Sequence, residues 1–405
     1  MTYARIINVF IILALIKDLR SQRRILGGEE LKTNKPYLVY LVISEKSAKT
    51  YTGWTCGGVI VSPQYIVTAA ACIEDVQYLY AIAGYKKFVS PPDIKQDKCT
   101  KEMKKKIVYT CVPKSYEFDY ANVGKWSAID IGVAKVESPY NFDDNRYQEI
   151  CSYKPNKINI NYDPKYQEPG IDALVMGWGH LKQWRQPGDD TIYTQTEPRY
   201  ASTQILNKKK CKDIYADFPD LQVTIDKYMI CTNEFGNINA EGDQISTIKP
   251  TADGCSVLRY GKPRPECIND GKYIYDMTRR SSNFNITNNV NTRRQGICQN
   301  DHGGPLVTWI GGHEVLIGVA SVFRVNANSQ CEGPYLFTST QCNGAFLYCV
   351  LNSENRRRNS ICDQSPRTRG FDMVHRRISW INHPDGPAEN EAVKIRPQIP
   401  IGVFG

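Results

Sequence analysis

Residues Gly296–Pro305 read G-I-C-Q-N-D-H-G-G-P, and an apolar run, Leu306–Ile310, follows directly. Upstream stand R-I-L-G-G at Arg24–Gly28, W-T-C-G-G-V-I-V-S-P-Q-Y-I-V-T-A-A-A-C at Trp54–Cys72, A-I-D-I-G-V at Ala128–Val133 and V-M-G-W-G at Val175–Gly179. Downstream, Gly370–Ile381 closes on S-W-I. Short segments with alternating apolar positions, broken by turn residues, read as strands: Pro36–Ile43, Gly58–Ser62, Ile66–Ala69, Tyr78–Ala83 and Ile107–Thr110.

The chain has 405 residues, room for one two-lobed domain with long insertions. Ile6–Ile16 is almost wholly apolar, with Arg5 before it and Lys17 after. That run is too short to span a bilayer, so it reads as a secretory signal peptide, cut between Ala14 and Gln22. Fourteen cysteines, an even count with no C-x-x-C pair, fit an oxidising, extracellular compartment and argue against zinc ribbons and redox motifs. Asn285-Ile286-Thr287 is a glycosylation sequon in an Asn-rich stretch. Net charge is +9, with basic groups at Lys104–Lys106, Lys208–Lys210, Arg293–Arg294, Arg356–Arg358 and Arg376–Arg377. Two readings stand for them: a solvated surface, or a face for an anionic partner such as a sulfated glycan or an acidic protein. Nothing resembles a nucleic-acid-binding motif. The five histidines, His180, His302, His313, His375 and His383, include no ligand-spaced pair, so no metal and no cofactor is expected.

Taken in order, these motifs resemble the chymotrypsin-like (trypsin) serine protease family, over roughly Arg24 to Ile381. Gly296–Pro305 resembles the nucleophile loop G-D-S-G-G-P, with His302 in the serine position. Trp54–Cys72 resembles the segment that carries the general-base histidine, with Ala71 in its place. Asp130 matches the orienting aspartate. The resemblance implies an all-β, chymotrypsin-like double antiparallel β-barrel with a short C-terminal helix and two long insertions in the second barrel. It divides the chain into a signal peptide (1–21), a short pro-segment (22–24), a protease-like domain (25–381) and a tail (382–405) expected at the surface or disordered. The domain splits into barrel one (about 25–150), a connector (151–172) and barrel two (about 173–381), with insertions at 232–297 and 324–361. An activation cut after Arg24 would free Ile25, whose amine would pair with Asp301.

The same resemblance supplies a site map. Asn300 holds the oxyanion position. Gly296, Ser321, Val322, Phe323 and either Arg369 or Gly370 line the specificity pocket. Cys56–Cys72, Cys211–Cys231 and Cys298–Cys362 are the implied bridges. A rival register pairs Cys298 with Cys331 and makes Gly333-Pro334-Tyr335 the pocket wall. Cys99–Cys111 and Cys255–Cys267 are expected to pin two insertions, leaving Cys151, Cys331, Cys342 and Cys349 unassigned.

A serine protease needs a nucleophile, a base and a carboxylate that orients the base. The methyl group of Ala71 cannot accept a proton. An imidazole at 302 can be acylated, but nothing in the sequence activates it. Loss of nucleophile or base alone removes roughly 10⁶ in turnover, and loss of both hardly more. Asp130, without its partner, is expected to turn to backbone or water. The Asn300 side chain is expected to intrude on the oxyanion space, and Phe323 to narrow the pocket beneath the insertions.

The whole resembles the inactive serine protease homologues common in insects, here without an N-terminal clip domain. It implies a secreted, zymogen-like pseudoprotease that binds a protease, its substrate or its inhibitor. Two alternatives remain open: a weak or unorthodox peptidase, and a structural or storage protein of an extracellular fluid.

Overall fold

The computed structural model describes residues 28–44, 55–117, 119, 122–180, 184–185, 189, 191–234, 236–244, 296–353 and 361–395. Arg24, Ile25, the Asn285 sequon and the expected Cys255–Cys267 bridge lie outside the described residues.

A two-residue strand β1 (Glu29–Glu30) leads into the first barrel, built from β2 (Leu38–Ile43), β3 (Thr55–Ile60), β4 (Tyr65–Thr68), β5 (Leu79–Ala83), β6 (Lys105–Pro113) and β7 (Gly132–Val136). Its strands pair antiparallel around a closed ring, β2-β3-β4-β7-β6-β5 and back to β2. Every residue of β2 is buried, because one face points into the barrel and the other is covered. Tyr40, for example, packs on Phe88 and on Trp178 of the second barrel, at ring separations of 5.3 and 5.0 Å.

After β8 (Asn159–Ile160) the second barrel comprises β9 (Asp172–Gly177), β10 (Arg199–Gln204), β11 (Met229–Thr232), β12 (Pro305–Ile310), β13 (His313–Val325) and β14 (Cys331–Ser339). They run β10-β9-β12-β13-β14-β11, with β1 on the outer edge of β10. An Ile205–Thr232 bridge and the bond from Leu206 N–H to the Cys231 carbonyl (2.8 Å) join β11 to β10. All adjacent pairs on this path are antiparallel, which gives the chymotrypsin-like double barrel.

Three expectations change here. First, residues 331–339, assigned from sequence to an insertion, are β14 itself. Their buried positions, Tyr335, Leu336 and Phe337 among them, supply the core of barrel two. The excursion begins only after Ser339, with helix Gly344–Leu351. Second, Gly370–Ile381 does not form the C-terminal helix. Met373–Arg377 is β15, paired with Tyr109–Pro113 of β6 on barrel one. Strand β6 pairs with β5 only at Lys105 and Lys106, so its later residues offer an open edge. Third, the tail beyond Ile381 packs rather than straying. His383 and Ala388 are buried, the His383 ring meets Trp380 edge-on with centroids 4.6 Å apart, and a short helix spans Glu389–Ile395.

The disulfides follow these packings. Cys56–Cys72 and Cys211–Cys231 are present, as the resemblance implies. Cys99 pairs with Cys151, not Cys111, because helix Lys98–Met103 packs against Arg146–Ile150 and leaves Cys151 next to it, at a Cα separation of 5.0 Å. Cys111 instead points into barrel one as a buried free thiol. Cys298 pairs with Cys331, not Cys362: the β13–β14 hairpin sets Cys331 opposite Val325, and Cys362 closes a shorter loop with Cys349. Cys342 is free and exposed.

Candidate active site

The site lies where the barrels meet. Gly57 of β3 abuts the nucleophile-like loop so closely that a Cβ there would fall 2.6 Å from the Gly304 Cα. Its N–H donates to the His302 carbonyl at 2.8 Å. Gly303 turns the loop at φ 79°, a left-handed conformation suited to glycine. Behind it, a Cβ would meet Thr68 Oγ1 at 2.3 Å. The Cys56–Cys72 and Cys298–Cys331 bridges brace the two sides.

Asp130, just before β7, is fully buried. Its Oδ1 accepts the Ala71 N–H at 3.0 Å, and its Oδ2 accepts the Ser321 hydroxyl at 2.7 Å. The same Oδ2 lies 2.6 Å from Nε2 of His302. Asp130 therefore does not turn to backbone or water alone. The imidazole is longer than a serine side chain and reaches across from position 302 into the place beside the carboxylate that Ala71 leaves vacant. A carboxylate accepts only, so Nε2 carries the proton, and His302 is oriented by Asp130 after all. Nδ1 has no hydrogen-bond partner among the described residues, and the side chain is 22% exposed. Among the described residues no hydroxyl joins this pair as a nucleophile: the Ser321 proton is committed to Asp130.

Asn300 adopts φ 74°, which Asn tolerates better than most residues. Its side-chain amide is held by two neighbours. Nδ2 donates to Thr194 Oγ1 at 2.9 Å and lies 3.2 Å from His180 Nε2, which draws it towards the loop after β9. The sequence signal for this cluster was slight: His180 merely follows the G-W-G turn.

Asp301 is buried, accepting N–H bonds from Gly179 (2.8 Å) and Cys298 (3.0 Å). Added Cβ atoms at Gly177 or Gly179 would lie 2.2 Å from its carboxyl, so these glycines shape its slot. Burial pushes its pKa up to about 7, against the lowering effect of the two N–H donors.

The pocket positions are packed. A Cβ at Gly296 would fall 1.8 Å from the Tyr335 ring, so that ring occupies the space against the loop backbone. Phe323 packs against the second-barrel core and meets Trp184 with ring centroids 5.8 Å apart. Val322 is partly buried and packs elsewhere, against the barrel-one cluster and the cluster around Tyr215 and Leu336. Arg369 and Gly370 form no wall of this pocket. Arg369 bonds to the carbonyls of Cys362 and Phe371 and stacks on the Phe371 ring, and Phe371 packs against the core cluster built on barrel one. The Cys298–Cys331 bridge and Tyr335 belong to the rival register.

Several basic groups are used internally. Lys106 Nζ donates to the carbonyls of Asp385, Gly386 and Pro387 and lies over the Trp380 ring. Lys208 Nζ donates to the carbonyls of Ile225 and Met229, and Arg376 to those of Ile73 and Val76. Arg293–Arg294 and Arg356–Arg358 lie outside the described residues. Among the described residues no group of three or more His, Cys, Asp or Glu could hold a metal, and no helix is long and apolar enough to cross a membrane.

The family model for trypsin matches residues 25–243, more than half of the chain, and the chain belongs to the trypsin family. The matched span ends before the loop that carries His302. Similar proteins include snake venom serine protease 2B of Craspedocephalus gramineus, 24% identical over 56% of this chain and 73% of that protein. Chymotrypsin of Phaedon cochleariae is 24% identical over 47% and 58%, and thrombin-like enzyme ancrod-2 of Calloselasma rhodostoma is 24% identical over 60% and 86%.

Proposed function

We propose that this member of the trypsin family is a secreted, catalytically inactive homologue, of the kind common in insects, that binds a partner in extracellular proteolysis. The observation that carries the reading is the His302–Asp130 pair at 2.6 Å. The imidazole stands on the nucleophile's loop, the base position holds Ala71, and no serine is left to attack a peptide. The occupied pocket supports it further, since Tyr335 and Phe323 fill space that a substrate side chain would need. The partner class is a protein: a protease, its substrate or its inhibitor. An anionic glycan is the weaker candidate, because Lys106, Lys208 and Arg376 donate to carbonyls of the chain itself.

The test is a peptidase assay on protein cleaved after Arg24, across a broad peptide library, beside the double variant Ala71→His/His302→Ser. The unsubstituted chain is expected to be silent. The double variant is expected to take a fluorophosphonate label on its introduced hydroxyl, yet to cleave peptides with large side chains poorly until Phe323→Gly opens the wall. Peptide hydrolysis by the unsubstituted chain that Asp130→Asn abolishes would overturn the reading.

A further inference from the structure

We propose that His302 is itself an acyl-accepting nucleophile, so that the site slowly hydrolyses small activated esters although it does not cleave peptides. The inference rests on the reading above, that no serine operates here, and goes beyond it. Three observations carry it. Asp130 is fully buried and holds the proton-bearing Nε2 at 2.6 Å, which fixes the tautomer and raises the electron density of the ring. Asp130 is itself held by the Ala71 N–H and the Ser321 hydroxyl, so the carboxylate cannot swing away. Nδ1, the nitrogen left with the lone pair, has no partner among the described residues, on a side chain 22% open to solvent. A serine needs a neighbouring base to become a nucleophile, whereas a neutral imidazole already offers a lone pair.

The chemistry balances without a cofactor. The Nδ1 lone pair adds to the ester carbonyl carbon. The carbon–oxygen bond to the leaving phenolate breaks, and the phenolate departs with the electron pair. The Nε2 proton stays in place, hydrogen-bonded to Asp130, and the product is an acyl-imidazolium ion. Water then attacks the acyl carbon, the carbon–nitrogen bond breaks as Nδ1 regains its lone pair, and the water's surplus proton leaves to solvent, where it neutralises the phenolate. The sum is ester plus water giving acid plus phenol. The acyl group must be small, because Thr68 and Gly57 crowd the loop from behind and Tyr335 and Phe323 occupy the pocket.

The experiment uses the full chain. Release of p-nitrophenolate from p-nitrophenyl acetate is followed and compared with p-nitrophenyl trimethylacetate. In parallel, a short pulse of diethyl pyrocarbonate is mapped by peptide mass spectrometry. His313 and His375 are both exposed and serve as internal standards within the same molecule. His302 is expected to carry the adduct about tenfold faster than either, with Asp130→Asn lowering its rate by about the same factor. Acetate is expected to turn over and trimethylacetate not. An adduct on His302 no faster than on His313 and His375 overturns the proposal, and needs no variant to fold. A fluorophosphonate adduct on a serine of the unsubstituted chain would overturn the inactive-protease reading instead, so the two failures are distinguishable.

Discussion

At the scale of single residues, the site turns on two carboxyls treated differently by their surroundings. Asp130 is met by three donors, whereas Asp301 is met by two backbone N–H groups and pairs with no cationic side chain among the described residues. Its folded pKa, about 7, lies above the roughly 3.9 of an unfolded aspartate. Between those values the native state holds more protons than the unfolded one, so stability falls as pH rises through that window and the loss is complete above about 7. The uncut chain is therefore expected to be more stable to urea at pH 5 than at pH 8, by about 3 kcal/mol from this group. Asp301→Asn should flatten that dependence and stabilise the chain at pH 8. An unchanged pH profile would show that Asp301 has a cation nearby. The residue scale is also where the sequence was least legible. Ala71 and His302 were plain as substitutions, but their joint meaning was not. Residues 130 and 302 are far apart in sequence, and only the inter-barrel packing brings an imidazole to a carboxylate.

Among the elements, the strands of barrel one were readable because β-branched and aromatic residues alternate between turn signals, and β2 to β6 fall close to where that pattern puts them. The second half of barrel two was harder. Taking Cys362 as the partner of Cys298 leaves Cys331 without a role and hides β14 inside the 324–361 insertion. The segment Gly370–Ile381 holds a strand because β6 has an edge to fill, a fact about a neighbour and not about the segment itself. Cys99 was misassigned for the same reason: its partner is set by two docked helices, not by nearness in sequence. Within β3, Gly57 gives an element-level prediction. Gly57→Ala must part β3 from Gly304, costing about 1–3 kcal/mol and lowering the melting temperature by several degrees. It should also draw the His302 carbonyl away from its N–H donor and so slow acylation of His302. A variant with unaltered melting temperature would mean that the barrels can slide apart freely here.

For the whole molecule, the ten cysteines paired among the described residues brace both barrels, and two thiols remain there, in opposite circumstances. Cys342 is exposed, and Cys111 is buried within barrel one, where desolvation pushes its pKa up to about 11. Maleimide should therefore label Cys342 in the native protein and reach Cys111 only in denaturant. Labelling of Cys111 without denaturant would mean that barrel one opens. That barrel has an unusual provenance. Its sheet is extended by β15, and the buried Trp380 indole donates to the Ile107 carbonyl at 2.9 Å. Barrel one is thus finished by residues synthesised only after barrel two. While the ribosome is still making barrel two, β6 presents a bare edge and barrel one lacks its Trp380 cover. A nascent chain, or one broken off before residue 373, would carry a sticky strand that the full-length protein never shows.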